Sequence, residues 1–129
     1  MSNLKVAIVE DEPAIRQMYE LKFQSAGFQT ACAEDGRAGL DLIKSWRPDL
    51  ILLDLRMPIM DGTEMLRRMR REPWGRNPLV IVLTNLSRSE APMDLRLLRV
   101  DKYLVKAHYT PKQVLEEAEA TISRHGLTR

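Results

Sequence analysis

Short apolar runs alternate with stretches of helical periodicity along this chain. Five runs bounded by polar or turn residues predict strands at residues 4–9, 28–33, 50–53, 79–83 and 103–105. Between the strands, apolar residues recur at intervals of three or four, which predicts amphipathic helices that each bury one face. The sets of apolar residues are Ile15, Met18 and Tyr19, then Leu42, Ile43 and Trp46, then Met65, Leu66 and Met69, and finally Leu115, Ala118 and Ile122.

This alternation predicts an α/β fold with a doubly wound parallel sheet. Strands that alternate with helices are joined by right-handed crossovers, which place helices on both faces of the sheet. The strand runs are apolar at nearly every position, as strands covered on both faces require. We expect one domain over residues 1–125, with residues 126–129 forming a C-terminal tail or the start of a linker.

Local signals mark where two helices begin, and a proline limits another. Residues 61–64 and 110–113 each place a capping oxygen three positions before a Glu or Gln. In the region of the fourth helix, a start at Ser87 would put Pro92 too deep, whereas a start at Ser89 keeps Pro92 in the first turn. We therefore expect a short fourth helix that begins at Ser89.

Composition narrows the classes of protein. The chain has 129 residues and a net charge of +2, so its arginine-rich stretch 67–76 does not make it strongly basic. No aromatic residue interleaves with its arginines at positions 67–71, and Trp74 alone does not make a stacking platform, which disfavours direct nucleic-acid binding. Cys32 is the only cysteine, no secretory leader is apparent, and no apolar run can span a bilayer. We expect a cytoplasmic protein that does not insert into membranes.

Polar residues follow most of the predicted strands. Glu10 and Asp11 follow the first strand, Asp54 follows the third, Thr84 the fourth and Lys106 the fifth. Ligands of open parallel sheets bind beyond the carboxyl ends of the strands. The alternation rule therefore gathers three carboxylates, a hydroxyl and an ammonium at one edge of the sheet.

Three carboxylates in one crevice repel each other. At ~5 Å and an effective dielectric constant near 20, each pair costs about 3 kcal/mol. Lys106 can offset one charge, and an oxygen-rich pocket without His or Cys ligands matches Mg²⁺ better than zinc. With a cation present, Asp54 can act as a nucleophile toward phosphorus, while Lys106 and Thr84 stabilise the phosphoryl oxygens.

Four segments in register resemble the receiver domain of bacterial response regulators. They are residues 6–12 (VAIVEDE), 48–62 (PDLILLDLRMPIMDG), 83–84 (LT) and 101–106 (DKYLVK). The resemblance covers nearly the whole chain, and its central segment is highly specific. It implies a flavodoxin-like strand order of 2-1-3-4-5.

The resemblance also implies a role for each site residue. Asp54 would take a phosphoryl group from a sensor histidine kinase or a phosphotransfer protein, and Lys106 would pair with that group. Thr84 would hydrogen-bond the phosphoryl group and Tyr103 would turn inward. The Mg²⁺ ligands would be Asp11, Asp54, the backbone carbonyl of Arg56, and Glu10 directly or through water.

The resemblance implies a switch and not an enzyme. The chain would at most phosphorylate itself from small phosphodonors and remove its own phosphoryl group. The surface of the fourth helix, fifth strand and last helix would change shape, contact an unidentified downstream protein and serve as a candidate homodimer interface. A receiver-like module that binds partners without being phosphorylated is the alternative. An aspartyl-phosphate hydrolase is disfavoured because Leu55 and Arg56 follow Asp54, with no second carboxylate.

Several residues depart from the family pattern. Ala107 follows Lys106 where the family usually has proline, so we expect a trans peptide bond and a different loop. Asn85 follows Thr84 where a small residue is usual, which predicts narrower access to Asp54. Pro92 and Arg99 predict an atypical fourth helix.

Overall fold

The computed structural model describes residues 3–127 of the chain. Its five strands form one parallel sheet in the order β2-β1-β3-β4-β5, so the predicted fold class and the order implied by the resemblance are both confirmed. Every predicted strand is present, with bounds that shift by one residue at most. The strands are β1 Lys5–Val9, β2 Gln29–Ala33, β3 Leu50–Leu53, β4 Leu79–Thr84 and β5 Lys102–Val105.

The α-helices flank the sheet on both faces. They are α1 Pro13–Ser25, α2 Gly36–Trp46, α3 Gly62–Arg70 and α4 Pro111–Arg124. Short 3-10 segments also occur between these elements, at Pro73–Gly75, Arg88–Glu90, Met93–Leu98 and Lys106–His108.

Alternate residues of each strand feed two separate cores. Val6 and Ile8 of β1 point toward α1 and α4, where they pack with Phe23 and Ile122. Ala7 and Val9 of β1, by contrast, join the core beneath α2 and α3. Because side chains alternate between the faces of a strand, a sheet covered on both sides must be apolar at consecutive positions. The continuous apolar runs in the sequence therefore reflect burial on both faces.

The predicted helix starts at residues 61 and 110 are confirmed. The Asp61 side chain accepts a hydrogen bond from the amide of Glu64 and so caps α3. Thr110 accepts from the amide of Gln113, whose side chain in turn accepts from the Thr110 amide. These bonds satisfy amides that have no partner inside the helix.

The predicted fourth helix is wrong in its start and its type. Ser87, and not Ser89, caps a single 3-10 turn with Glu90, and Pro92 then precedes a second 3-10 segment, Met93–Leu98. Proline disfavours helical backbone in the residue before it, and Ala91 is indeed extended, with φ −70° and ψ 147°. The proline therefore divides the region into two short segments.

The C-terminal helix ends just before a glycine in a left-handed conformation. Arg124 is its last residue, and Gly126 adopts a left-handed φ of 75°. Such a φ is typical of glycine after a helix. The last two residues of the predicted tail, 128 and 129, lie outside the described residues.

Candidate functional site

The backbone of the sheet positions two of the acidic residues. Glu10 donates its amide hydrogen bond to the carbonyl of Ala33 at 3.0 Å, and Asp54 donates its own to the carbonyl of Val9 at 3.0 Å. Each residue thus extends the hydrogen-bond ladder one step beyond its strand. The backbone of the sheet therefore fixes where both side chains begin, at the carboxyl edge of the sheet.

Three carboxylates meet at this edge, as the sequence predicts. One oxygen from each of Glu10, Asp11 and Asp54 lies within 4.8 Å of the others. Glu10 and Asp54 are 4 % and 7 % exposed, whereas Asp11 is half-buried. Buried carboxylates this close together require compensation by cations or protons.

Lys106 supplies one compensating charge. Its ammonium lies 2.7 Å from Oε1 of Glu10 and 3.3 Å from Oδ2 of Asp54. Burial would lower the pKa of Lys106, but the hydrogen bond to Glu10 and the charge of Asp54 outweigh it and raise the pKa. Burial raises the pKa of Glu10, a rise that the hydrogen bond from Lys106 opposes. Lys106 is therefore firmly charged at neutral pH.

Backbone amides orient the carboxylates. The amide of Glu12 donates to Oε2 of Glu10 at 3.1 Å, and the amide of Arg56 donates to Oδ1 of Asp54 at 3.3 Å. The Arg56 side chain itself is exposed. Each buried carboxylate thus has one oxygen on an amide and the other on Lys106.

Arg16 belongs to the site although the sequence analysis did not identify it. From the first turn of α1, its guanidinium donates to the carbonyl of Glu10 at 2.9 Å and to that of Asp11 at 3.3 Å. These bonds hold the loop that carries both acidic residues. The signal for Arg16 is its spacing, because a long side chain one turn into a helix can reach back to the loop before it.

The donor set suits a hard divalent cation. All the converging ligand atoms are oxygens, two of the three carboxylates are largely buried, and Asp11 makes the pocket reachable from solvent. Mg²⁺ prefers one or two carboxylates together with water and carbonyl oxygens. These residues therefore fit Mg²⁺, and a second cation beside Lys106 would relieve the remaining repulsion.

Thr84 and Tyr103 both contact the loop that follows β4. Thr84 is fully buried at the end of β4, and its hydroxyl oxygen accepts from the amide of Leu86 at 3.4 Å. The half-buried Tyr103 donates its hydroxyl hydrogen bond to the carbonyl of Leu86 at 2.9 Å. The carbonyl of Ser87, at 3.2 Å, is a second acceptor for the same hydroxyl. Asn85, between Thr84 and Leu86, is exposed. Any movement of this loop would thus change contacts of both side chains.

Gly62 lets α3 approach the backbone of Asp54 closely. A β-carbon at Gly62 would lie 2.3 Å from the carbonyl oxygen of Asp54. The Gly62 amide donates to the carbonyl of Leu55 at 2.9 Å. The start of α3 is therefore fixed against the chain on either side of the Asp54–Leu55 peptide bond.

The loop after β5 keeps Lys106 within reach of the site. The peptide bond between Lys106 and Ala107 is trans, as predicted, and the chain makes one 3-10 turn over Lys106–His108. Since Lys106 contacts both Glu10 and Asp54, the missing proline does not withdraw the ammonium from the site.

No helix among residues 3–127 is long and apolar enough to cross a membrane.

The chain matches the family model of the response regulator receiver domain over residues 6–119. A curated relative, regulatory protein AtoC of Escherichia coli (strain K12), is 36% identical over 102 residues. That match covers 79% of this chain but only 22% of AtoC, so the chain spans about a fifth of that relative.

Solved structures agree with the family match. The chemotaxis response regulator CheY4 of Vibrio cholerae superposes with a TM-score of 0.84 at 28% identity, covering 93% of this chain and 99% of that chain. The response regulator TrrA of Thermotoga maritima, solved in complex with Mg²⁺ and BeF, gives 0.79 at 26% identity, covering 92% and 98%. With the family match spanning most of its length, this chain belongs to the response regulator receiver domains, the switches of two-component signalling.

Proposed function

We propose that Asp54 is the phosphoacceptor of this receiver domain. The observation that carries the proposal is the convergence of Asp54 with Glu10, Asp11 and the ammonium of Lys106. An Asp54 carboxylate oxygen attacks the phosphorus of a phosphohistidine, and the phosphorus–nitrogen bond breaks. The histidine nitrogen leaves with the bonding electrons and takes up a proton, and Asp54 becomes an acyl phosphate.

Neighbouring residues prepare Asp54 for this transfer. Glu10, Asp11 and Asp54, with the backbone carbonyl of Arg56, would hold Mg²⁺, which when bound supplies positive charge to the phosphoryl oxygens. Lys106, now shared between Glu10 and Asp54, would pair with the phosphoryl group. The complex of TrrA with Mg²⁺ and BeF supports such a site in this fold.

The switch would act through the loop after β4. Phosphorylation adds roughly −1 to −2 of charge beside Thr84 and attracts its hydroxyl. Because the Thr84 hydroxyl and the Tyr103 hydroxyl both bond to residues 86–87, a shift of one requires the other to adjust. The surface formed by residues 88–98, β5 and α4 would change shape as a result.

This change would serve as a signal and not as catalysis. Receiver domains interact with histidine kinases or phosphotransfer proteins and with downstream targets, and they are switches and not enzymes in the usual sense. For this chain we propose a receiver domain over residues 1–125. Its phosphodonor would be a sensor histidine kinase or a phosphotransfer protein. The reshaped surface would bind the downstream protein or a second copy of the chain.

Intact-mass analysis after incubation with acetyl phosphate and Mg²⁺ tests the proposal. Wild type and the control Asp41→Asn, which alters an exposed carboxylate of α2, should gain the mass of one phosphoryl group, and Asp54→Asn should not. If folded wild type gains no phosphoryl mass from several phosphodonors, the proposal fails. An interaction module that works without phosphorylation would then be the better account.

A further inference from the structure

The 3-10 segment Met93–Leu98 is largely exposed. Only Leu95 among its residues is buried, and Met93 and Leu97 are 86 % and 81 % exposed. Short 3-10 segments have poorer hydrogen-bond geometry than α-helices. The position of this segment therefore depends on contacts from outside it.

One such contact comes from Arg67 in α3. Its Nε lies 2.6 Å from Oδ2 of Asp94 and its Nη2 lies 2.9 Å from Oδ1, so that two parallel hydrogen bonds join the groups. This paired geometry restricts direction as well as distance, unlike a single ion-pair contact. It fixes the first turn of the segment to α3.

A second polar contact, beside the packing of Leu95 and Leu98 on the core, comes from Arg70, one turn further along α3. Its guanidinium donates to the carbonyls of Leu98 and Arg99 at 2.9 Å each, at the end of the segment. The same group donates to the carbonyls of Gly75 and Pro78, at 3.1 and 3.0 Å, in the loop that leads to β4. Arg70 thus ties three parts of the chain together.

The far end of α3 lies against the candidate site. Gly62 is bonded to the carbonyl of Leu55 and packs on the carbonyl of Asp54, leaving no room for a β-carbon. Met65, Leu66 and Met69 are fully buried, so α3 is a rigid connection between its two ends.

We propose that Arg67 and Arg70 are positioning residues that attach residues 93–99 to α3, so that these residues respond to the state of Asp54 through α3. The second half of this inference rests on the proposed phosphorylation of Asp54. Met93, Leu95 and Arg96 line a groove of about 500 Å³ that Tyr103 also lines. The two arginines would connect α3 to this groove. Tyr103, which bonds to the loop after β4, would connect that loop to the same groove.

Hydrogen exchange of the unphosphorylated protein tests the attachment. Arg67→Ala should raise amide exchange over residues 93–99 about fivefold, and Arg70→Ala by at least about tenfold, since more bonds are lost. Arg68→Ala is the matched control because Arg68, within residues 3–127, forms its ion pair with Glu64 of the same helix. The double variant Arg67→Asp with Asp94→Arg should restore part of the protection, and not all of it because Arg67 also pairs with Glu64.

Phosphorylation provides the second arm. In wild type treated with acetyl phosphate and Mg²⁺, exchange over residues 93–99 should change. In Arg67→Ala that change should shrink at least about threefold while intact mass shows equal phosphorylation of Asp54. Arg67 is half-exposed, so this variant remains informative if Arg70→Ala fails to fold.

The outcomes separate the two proposals. If Arg67→Ala exchanges like Arg68→Ala, or the charge exchange restores nothing, the attachment is wrong whatever happens at Asp54. If Asp54 is phosphorylated and residues 93–99 respond equally in wild type and Arg67→Ala, the route through α3 is wrong. If wild type takes up no phosphoryl group, the proposed function and the route through α3 both fail, and the first arm still decides the attachment.

Discussion

Lys106 is the residue on which the charge balance of the site depends. It is the cation that contacts both Glu10 and Asp54, and all three side chains are largely buried. A buried charge that loses its partner costs much more than an exposed one. Its removal should therefore have a large and measurable effect.

Lys106→Met should lower the free energy of unfolding by about 2–3 kcal/mol without Mg²⁺. The pKa of Lys106 is raised from its ordinary 10.5. Its stabilisation is therefore fully present below pH 10.5 and is lost only as the pH rises through the higher folded value. Urea denaturation should show the variant less stable than wild type at pH 8. The difference should narrow toward pH 6, because Lys106 no longer opposes the raised pKa of Glu10 and the folded variant takes up a proton there.

Mg²⁺ should restore part of the stability of Lys106→Met and should bind this variant about tenfold more tightly than it binds wild type, because a competing cation is gone. Lys44→Met, at an exposed position of α2, is the control and should behave as wild type. Weaker Mg²⁺ binding by Lys106→Met, measured by calorimetry, would contradict this interpretation.

Cys32 should be nearly unreactive despite being partly exposed. Burial and a hydrogen bond to Glu20, whose carboxylate lies 3.2 Å from the sulfur, raise its pKa to about 12. At pH 8 the thiolate fraction should be about a thousandfold smaller than for a free thiol of pKa 9.0. Alkylation by iodoacetamide should be slow in the folded protein and should accelerate with rising pH.

Alkylation of Cys32 in urea at the same pH provides the reference rate. Glu20→Gln removes the negative charge beside the sulfur, so native labelling of this variant should be faster than in wild type. Equal labelling rates for native and unfolded protein would show that the thiol is not protected.

At the scale of elements, α3 links two functional regions, and Gly62 is the position that permits this. Replacement of Gly62 by alanine raises helix propensity by about 1 kcal/mol. The new β-carbon, however, would lie 2.3 Å from the carbonyl oxygen of Asp54, so the backbone must move. Helix propensity therefore predicts a more stable variant, whereas packing predicts a less stable one. At 2.3 Å from a backbone oxygen, the packing effect is the larger of the two.

Gly62→Ala should lower the free energy of unfolding by about 2 kcal/mol and slow phosphorylation from acetyl phosphate. Gly39→Ala in α2 is the comparison, because its new β-carbon would meet side-chain atoms, the sulfur of Met65 at 2.9 Å and Cγ1 of Val9 at 3.0 Å, and not a backbone oxygen at 2.3 Å. It should cost less and leave phosphorylation near the wild-type rate. A stabilised Gly62→Ala would mean that propensity outweighs packing.

The fourth helical region marks the limit of reasoning from the sequence at this scale. Pro92 correctly indicated a disturbance there. The sequence did not show that Asp94 and the carbonyls of residues 98–99 bond to arginines of α3. Such contacts between distant segments leave no periodic signal in the chain.

At the scale of the whole molecule, a magnesium site should couple ligand binding to stability. A cation that binds the folded chain alone adds about 1.4 kcal/mol for each tenfold rise above its dissociation constant. Thermal or urea denaturation at increasing Mg²⁺ should show this dependence in wild type. Asp11→Asn should weaken it severely, since Asp11 supplies one of three converging carboxylates.

Asp41→Asn is the control for the loss of a carboxylate and should keep the full dependence on Mg²⁺, as Asp41 lies on the exposed side of α2. Equal stabilisation of Asp11→Asn and wild type would place the cation elsewhere. Addition of EDTA should return wild type to its stability without Mg²⁺.

The sequence by itself determined the fold class, the strands and the edge where the polar residues meet. Apolar runs and helical spacing follow from burial on two faces of the sheet, and Glu10, Asp11, Asp54 and Lys106 follow from where those runs end. Only the tertiary structure decided that Lys106 reaches both Glu10 and Asp54, that Arg16 supports the acidic loop, and that α3 holds residues 93–99. These contacts join residues far apart in the chain or side chains whose direction depends on packing, which a linear pattern does not record.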